Sequence, residues 1–205
     1  MKLYYAPGAC SVGIHVLLEE TGAPYEAVLV NLREGAQFKP DFTSVNPKSK
    51  VPALERDDGS VLTEYPPIAF WIPPRFPTAG LMPMGMDAQA RALECTDYCV
   101  ATLHMQGFSR MFRPGNFAPS EADHEAVKAR GAEIFAKGLA LMDKALEGRD
   151  WLVGTYSFAD SALFYVSFWW NGRLQKDLPP NVAGHYARMR ARGAVQRVMA
   201  AEGLA

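Results

Sequence analysis

The side chain best suited to chemistry in this chain is a cysteine, Cys10, in the segment Tyr-Tyr-Ala-Pro-Gly-Ala-Cys-Ser over residues 4–11. Here a short apolar strand over residues 2–5 turns into an amphipathic helix that begins near Ser11. A helix N-terminus presents unpaired N–H groups and partial positive charge, which favour a thiolate and can hold an anionic ligand atom. Cys10 is therefore a candidate reactive thiol. The alternative is a small buried apolar side chain at a tight turn.

A second segment, Asn-Pro-Lys-Ser-Lys-Val-Pro-Ala-Leu over residues 46–54, offers backbone groups. It precedes Asp-Asp-Gly-Ser, a hairpin turn signal, so we expect residues 53–55 and 60–63 to pair as antiparallel strands. Pro52 then lies directly before a strand, where a cis X-Pro bond is most useful. A cis bond would point the N–H and C=O of Val51 into a cleft beside the first helix, where a peptide ligand could pair with them.

The secondary-structure elements that must position Cys10 and Val51 are predicted to form two parts of different architecture, one after the other along the chain. Residues 1–76 alternate strand, helix, strand, helix-like segment, hairpin and helix, which is the order of a small α/β layer. A linker rich in Pro and Gly follows over residues 77–86. Residues 87–205 have helical periodicity and no strand signal. The helices predicted there span 87–112, 121–147, 158–174 and about 181–202.

Two local signals concern helix ends. A proline inside a helix costs about 3 kcal/mol, so Pro73-Pro74 should end the third helix near Ile72. Ser157 and Asp160 have the spacing of a capping box, which should nucleate the apolar helix that follows. This gives Asp160 a structural interpretation and not a catalytic one.

Composition restricts the class of partner and compartment. The chain has 205 residues, 49% of them hydrophobic, and a net charge of −1, which gives no reason to expect nucleic acid or an anionic membrane surface. No apolar run reaches the roughly 18 residues of a membrane span, so we expect a soluble cytoplasmic protein. The three cysteines do not predict a disulfide framework. Cys95 and Cys99 are expected to pack in a core, because no Cys or His cluster completes a metal site with them.

Taken together, these segments resemble those of cytosolic glutathione S-transferases, most closely the bacterial beta class. The match also includes Leu-Thr-Glu at 62–64, Leu-His at 103–104, Phe-Arg-Pro at 112–114, Ser-Phe-Ala-Asp at 157–160 and Glu-Gly-Leu at 202–204. The segments follow the family's order along essentially the whole chain. The resemblance implies a thioredoxin-like domain followed by an all-α domain, glutathione as co-substrate, no metal, and a homodimer.

The resemblance also assigns roles to individual residues. The backbone of Val51, before Pro52, would pair with the cysteinyl part of glutathione, and Glu64 would bind its γ-glutamyl amino group. Cys10 and His104 would lie beside the glutathione sulfur, and Cys10 could form a mixed disulfide with it. The other expected site residues are Tyr5 and Ser11 in the first turn, the backbone of Tyr65, and the apolar residues Met105, Phe108 and Phe112.

The first functional interpretation is conjugation of the glutathione thiolate to a small hydrophobic electrophile. The second is thiol–disulfide exchange through Cys10, and the third is a non-catalytic binder of apolar ligands on the same fold. The chain departs from the beta-class pattern at four positions. Gly35 and Met105 stand where a lysine is common, Asp97 where an asparagine is common, and Tyr65 where a serine is common. These changes predict a low affinity for glutathione.

Overall fold

The computed structural model describes residues 1–204 and contains a four-stranded sheet in its first half and helices in both halves. The strands are β1 (Lys2–Tyr5), β2 (Glu26–Leu29), β3 (Ala53–Glu55) and β4 (Val61–Thr63). Their order across the sheet is β2-β1-β3-β4, with β1 parallel to β2 and antiparallel to β3. A mixed sheet in the first half and helices in the second confirm the predicted fold class. The domain boundaries at residues 76 and 87 stay an interpretation.

The helices fall into two groups. In the first half they are α1 (Ser11–Thr21), α2 (Pro40–Thr43) and α3 (Tyr65–Arg75). In the helical half, which we define as residues 86–204, they are α4 (Met86–Asp97), α5 (Ser109–Phe112), α6 (His124–Ala145), α7 (Phe158–Phe168), α8 (Pro180–Ala191) and α9 (Gly193–Ala201). A π-helical segment, Tyr98–Phe108, joins α4 to α5, and a second one, Trp169–Arg173, extends α7. Across residues 1–204 no helix is both long and apolar enough to cross a membrane.

The hairpin after the second segment forms as the turn signal predicts. Ala53 on β3 lies opposite Thr63 on β4. The turn between them closes because Gly59 adopts a φ of +79° and the Ser60 N–H donates to the Asp58 carboxylate at 2.9 Å. A positive φ costs glycine little because it has no Cβ. This explains why glycine follows aspartate in the turn. The hairpin therefore fixes where β3 begins, one residue after Pro52.

The two faces of the sheet pack against different cores. Leu3 and Leu54 point to the face covered by α1 and α3, and this core continues into the helical half. The opposite face packs on α2, where the Tyr4 and Phe42 ring centroids are 5.8 Å apart. At the centre of the molecule every residue of α7 is buried. Cys95 and Cys99 are also buried, which confirms their predicted place in a core.

The predicted capping box at the start of α7 is present. The Asp160 carboxylate accepts from the Ser157 N–H at 2.9 Å. Its other oxygen lies 3.0 Å from Nε2 of the buried His185 on α8, a contact that the local pattern could not predict. Asp160 thus ties the start of α7 to α8.

One predicted helix end is wrong. Helix α3 runs through Pro73 and Pro74 to Arg75. The pair lies in the last turn, where φ near −65° is helical and few backbone bonds are lost, and the Phe76 N–H closes the turn on the Ile72 carbonyl at 3.1 Å.

The helix predicted over 181–202 is two helices, α8 and α9. Arg192 between them is extended, with φ −71° and ψ 135°, and Gly193 begins the second helix. The hydrophobic periodicity of the sequence continues across Arg192, so the sequence pattern did not predict the break.

Candidate functional site

The turn that carries Cys10 is built by its neighbour Ser11. The Ser11 hydroxyl accepts from the Ala6 N–H and donates to the Ala6 carbonyl, both at 3.2 Å. Ser11 is fully buried. Both functions of the hydroxyl are therefore used inside the turn, and the geometry favours a structural role for Ser11 over the expected contact with a ligand.

Cys10 lies at the N-terminus of α1, and its Sγ donates to the Val51 carbonyl at 3.5 Å. Burial raises the pKa of the Cys10 thiol from 9.0 to about 12, and the backbone N–H groups of Cys10 and Ser11 oppose this only in part. Burial therefore disfavours a Cys10 thiolate in the free protein, and the expectation of a reactive thiol at this helix N-terminus stays a prediction. The thiolate loses more stabilisation by leaving water than it gains from the N–H groups at the helix end, so the net effect is a raised pKa.

The raised pKa predicts how fast Cys10 reacts with iodoacetamide. Because only the thiolate reacts, a pKa of about 12 in place of 9.0 leaves about a thousandfold less reactive form at pH 7.5. The rate should rise about tenfold per pH unit for as long as the protein stays folded. Mass spectrometry of the Cys10 peptide measures it, with the same peptide free in solution as the control. A rate that levels off below pH 9 would contradict the prediction.

The Val51–Pro52 bond is cis, as predicted. The loop before it is held by Asn46, which is buried and whose side-chain amide donates to the Lys50 carbonyl at 2.7 Å. The Val51 carbonyl faces Cys10, and β3 begins at Ala53. Backbone groups of Val51 therefore border the cleft beside the first helix, where a peptide could pair with them.

Glu64 presents a carboxylate at the N-terminus of α3. Its backbone has φ +70° and ψ 139°, a conformation that costs a non-glycine residue about 1–3 kcal/mol and that occurs most often at functional sites. The side chain is half exposed and lies 2.9 Å from the Lys48 Nζ. This position agrees with the expected role of Glu64 towards a ligand ammonium group, and that role stays a prediction.

Tyr65, directly after Glu64, turns its side chain away from the cleft. The ring is buried, and the hydroxyl lies 2.7 Å from the Ser161 hydroxyl on α7. Gly13 on α1 makes room for it, because a Cβ there would lie 2.3 Å from the Tyr65 hydroxyl oxygen. Only the backbone of Tyr65 is left to contact a ligand, which is the contact that the sequence predicts.

Tyr5 packs beside the turn. Its ring centroid lies 5.1 Å from that of His15, and burial, with a smaller effect of Glu202, raises the pKa of its hydroxyl. A hydroxyl with a raised pKa stays protonated and can donate. The role of Tyr5 as a donor to the sulfur stays a prediction.

His104 lies in the π-helical segment, and its ring contacts Trp169, which in turn bonds to Gly8 in the turn before Cys10. Burial lowers its pKa to about 4, with Lys50 contributing, so the ring is neutral at physiological pH. The Tyr165 hydroxyl is 3.5 Å from Nδ1. If it donates there, the ring proton is on Nε2, and this tautomer can donate a hydrogen bond to a ligand. Tyr165 was not among the residues predicted from the sequence.

An apolar surface adjoins His104. We call Phe108, Phe112, Trp169 and His104 the aromatic cluster. Phe108 stacks on Trp169 with centroids 4.2 Å apart and on Phe112 at 5.5 Å, and the His104 ring meets Trp169 edge-on at 4.6 Å. Phe112 and Met105 are exposed. The cluster brings together three of the predicted site residues, His104, Phe108 and Phe112, with Trp169.

Two side chains of the helical half bind Gly8, in the turn before Cys10, one at its carbonyl and one at its N–H. The Trp169 indole N–H donates to the Gly8 carbonyl at 2.9 Å, and the buried Glu202 carboxylate accepts from the Gly8 N–H at 2.8 Å. The second oxygen of Glu202 is 2.8 Å from Nδ1 of His15. These contacts join residues far apart in the chain, so sequence spacing gave no signal for them.

Comparisons with known proteins agree with this geometry. Residues 8–73 match the model of the glutathione S-transferase N-terminal domain. Glutathione S-transferase GstA of Escherichia coli O157:H7 is 34% identical over 100% of both chains. A sphingomonad glutathione S-transferase complexed with glutathione is 37% identical, with a TM-score of 0.85 and full coverage of both chains. The bacterial beta class glutathione S-transferase of Sphingomonas chungbukensis is 32% identical, with a TM-score of 0.86 and the same coverage.

The fold, the cleft and these relatives lead to one assignment. The sheet and helices place the cysteine turn, the cis-proline loop and the acidic residue before α3 around one cleft. Relatives that match the chain from end to end carry the family's name. The chain belongs to the glutathione S-transferase family and resembles its bacterial beta class.

Proposed function

We propose that this glutathione S-transferase conjugates the glutathione thiolate to small hydrophobic electrophiles. The observation that carries the proposal is that the cysteine turn contacts both the cis-proline loop and the aromatic cluster: the Cys10 Sγ donates to the Val51 carbonyl, and the Trp169 indole donates to the Gly8 carbonyl. Glutathione would pair with the backbone of Val51 and place its ammonium group at Glu64. The electrophile would lie on the aromatic cluster.

The proposed mechanism uses neutral hydrogen-bond donors. The Cys10 thiol is protonated and the His104 ring is neutral, so both can donate to the glutathione sulfur once its proton has left to solvent. Donors that the fold already holds in place stabilise a thiolate without the reorganisation that water requires. The thiolate then attacks the electrophilic carbon, and the cleft supplies proximity and orientation.

Thiol–disulfide exchange through Cys10 is the less favoured function. An attacking thiol works best with a pKa near the ambient pH. The pKa of Cys10, at about 12, is far above it. The relatives reported above are named for transferase activity.

Paired assays test these roles. With saturating glutathione and an aryl halide, we expect His104→Ala to lower kcat by roughly tenfold and Cys10→Ala by a few-fold, because each removes one donor of several. Any reduction of a mixed disulfide should disappear in Cys10→Ala alone. His124→Ala, outside the cleft, is the control. If Cys10→Ala leaves both activities unchanged, Tyr5 is the better candidate donor.

We also propose a homodimer in the cytoplasm, with a second copy covering apolar surface near α3 and α4. Phe70 on α3, Leu93 and Met86 on α4, and Met84 between these helices are exposed large apolar side chains. Burial of such groups drives association. Light scattering should give twice the 22.5 kDa of one chain at micromolar concentration. A monomer there would contradict the proposal.

A further inference from the structure

Two aromatic side chains of one helix and its extension pack against the ring of His104. Tyr165 lies in α7, and Trp169 begins the π-helical segment that extends it. The His104 ring meets Trp169 edge-on with centroids 4.6 Å apart and Tyr165 edge-on at 5.9 Å. The two aromatic rings also contact each other, with centroids 4.9 Å apart. The position of the His104 ring is therefore set by α7 and its extension.

The Tyr165 hydroxyl has one hydrogen-bond partner within residues 1–204, Nδ1 of His104 at 3.5 Å. Tyr165 is completely buried, and a buried hydroxyl that donates to nothing is costly. The neighbouring Tyr65 ring lies at 5.1 Å, but its hydroxyl is bonded to Ser161. If Nδ1 carried the ring proton, the Tyr165 hydroxyl proton would have no acceptor. The proton of the His104 ring therefore belongs on Nε2.

The second ring nitrogen of His104 is open. Nε2 makes no hydrogen bond within residues 1–204, and it is not one of the fully buried side-chain atoms that lack a partner. Burial, with a smaller contribution from Lys50, lowers the pKa of His104 to about 4, so the ring is neutral at physiological pH and has a single N–H to donate. A ligand that reaches Nε2 therefore meets a donor and not an acceptor.

We propose that Tyr165 is a positioning residue for conjugation: its hydroxyl binds Nδ1 of His104 and so keeps the ring proton on Nε2, which donates it in a hydrogen bond to the glutathione sulfur. The inference rests on the proposed conjugation, in which His104 is one donor, and it adds what decides which nitrogen donates. A thiolate is stabilised by an N–H and repelled by a nitrogen lone pair, so the tautomer decides whether His104 assists the reaction. Tyr165 acts through His104 and gives up no proton.

Nitrogen NMR of the whole protein, with histidine labelled at its ring nitrogens, tests the hydrogen bond. The chain has four histidines, and the His104 signals are those that disappear in His104→Ala. We expect wild type to have an unprotonated, hydrogen-bonded Nδ1 and a protonated Nε2. In Tyr165→Phe the Nδ1 signal should move to the position of a free lone pair. Tyr186→Phe is the control, because its ring stacks on Phe164 of α7 and its hydroxyl makes no hydrogen bond within residues 1–204.

Kinetics distinguish positioning of His104 from support of the fold. At saturating glutathione, we expect Tyr165→Phe to lower kcat with an aryl halide by about threefold, less than His104→Ala, because the donor remains but is no longer held in place. In the His104→Ala background the same change should have no effect, since Tyr165 acts only through the imidazole. Tyr186→Phe should leave kcat and the His104 signals unchanged.

Two results would overturn the proposal. One is a wild-type spectrum with the His104 proton on Nδ1. The other is a Tyr165→Phe protein, folded by its thermal transition, whose kcat equals that of wild type or falls equally with and without His104. Wild-type conjugation of chlorodinitrobenzene separates this inference from the proposed function. If conjugation proceeds while Nδ1 is protonated, only the inference about Tyr165 fails. If no aryl halide is conjugated, the proposed function fails even where the spectrum shows the expected tautomer.

Discussion

Gly13→Ala is expected to lower the free energy of unfolding by about 3 kcal/mol. The new Cβ would lie 2.3 Å from the Tyr65 hydroxyl oxygen and 2.8 Å from the backbone carbonyl oxygen of Ser161. α1, α3 and α7 meet here inside the core, and the Ser161 carbonyl belongs to a helix that is buried along its whole length. The structure must therefore shift or lose the bond between Tyr65 and Ser161. Urea unfolding measures the change.

Two further variants test whether the close contact at Gly13 causes the loss of stability. Gly184→Ala, in α8, is the control, because its Cβ would meet only the end of the Arg188 side chain at 3.4 Å. It should be neutral or stabilising by less than about 1 kcal/mol. Adding Tyr65→Phe to Gly13→Ala removes the closest clashing atom and should recover part of the loss. Equal effects of Gly13→Ala and Gly184→Ala would show that the contact is not tight.

Glu202→Ala should cost about 4 kcal/mol and also reduce conjugation. The side chain is completely buried and serves two partners, the Gly8 N–H and His15 Nδ1, each at 2.8 Å. Without the carboxylate both partners stay buried and unpaired, and the turn before Cys10 loses one of its supports. The measurements are thermal unfolding and kcat/KM with an aryl halide.

Glu133→Ala is the matched control for Glu202. Its carboxylate pairs with Arg130 one turn away and is 67% exposed, and such pairs contribute about 0–1 kcal/mol. Its unfolding free energy and activity should stay close to wild type. If Glu202→Ala unfolds at the same temperature as Glu133→Ala, the buried carboxylate does not support the turn.

Features that depend on neighbouring residues could be predicted from the sequence. The start of α1 at Ser11, the cis bond before Pro52, the hairpin and the Asp160 cap are each set by residues a few positions apart. In such cases the backbone geometry of proline and glycine, or a side chain capping its own helix, decides the conformation.

Features that depend on burial or on contacts between distant residues could not be predicted from the sequence. The pKa of Cys10 follows from its surroundings in the fold and not from its place at a helix end. The Tyr65 hydroxyl meets Ser161 96 residues away, and Glu202 meets Gly8 194 residues away. Nothing in the local sequence shows that a tyrosine after Glu64 points inward. The continuation of α3 through Pro73 likewise depends on its place in the last turn.

The hydrogen bonds of Trp169 and Glu202 to Gly8 limit how this chain can be recombined with its relatives. The first half carries Cys10, Val51 and Glu64, yet the groups that fix its cysteine turn, Trp169 and Glu202, come from the other half. A chimera that joins residues 1–76 to a foreign helical half would keep Cys10, Val51 and Glu64, the residues proposed to bind glutathione, and lose the contacts that align the turn before Cys10. Exchange of the two halves is therefore possible only between chains that supply an indole N–H and a buried carboxylate at the same places.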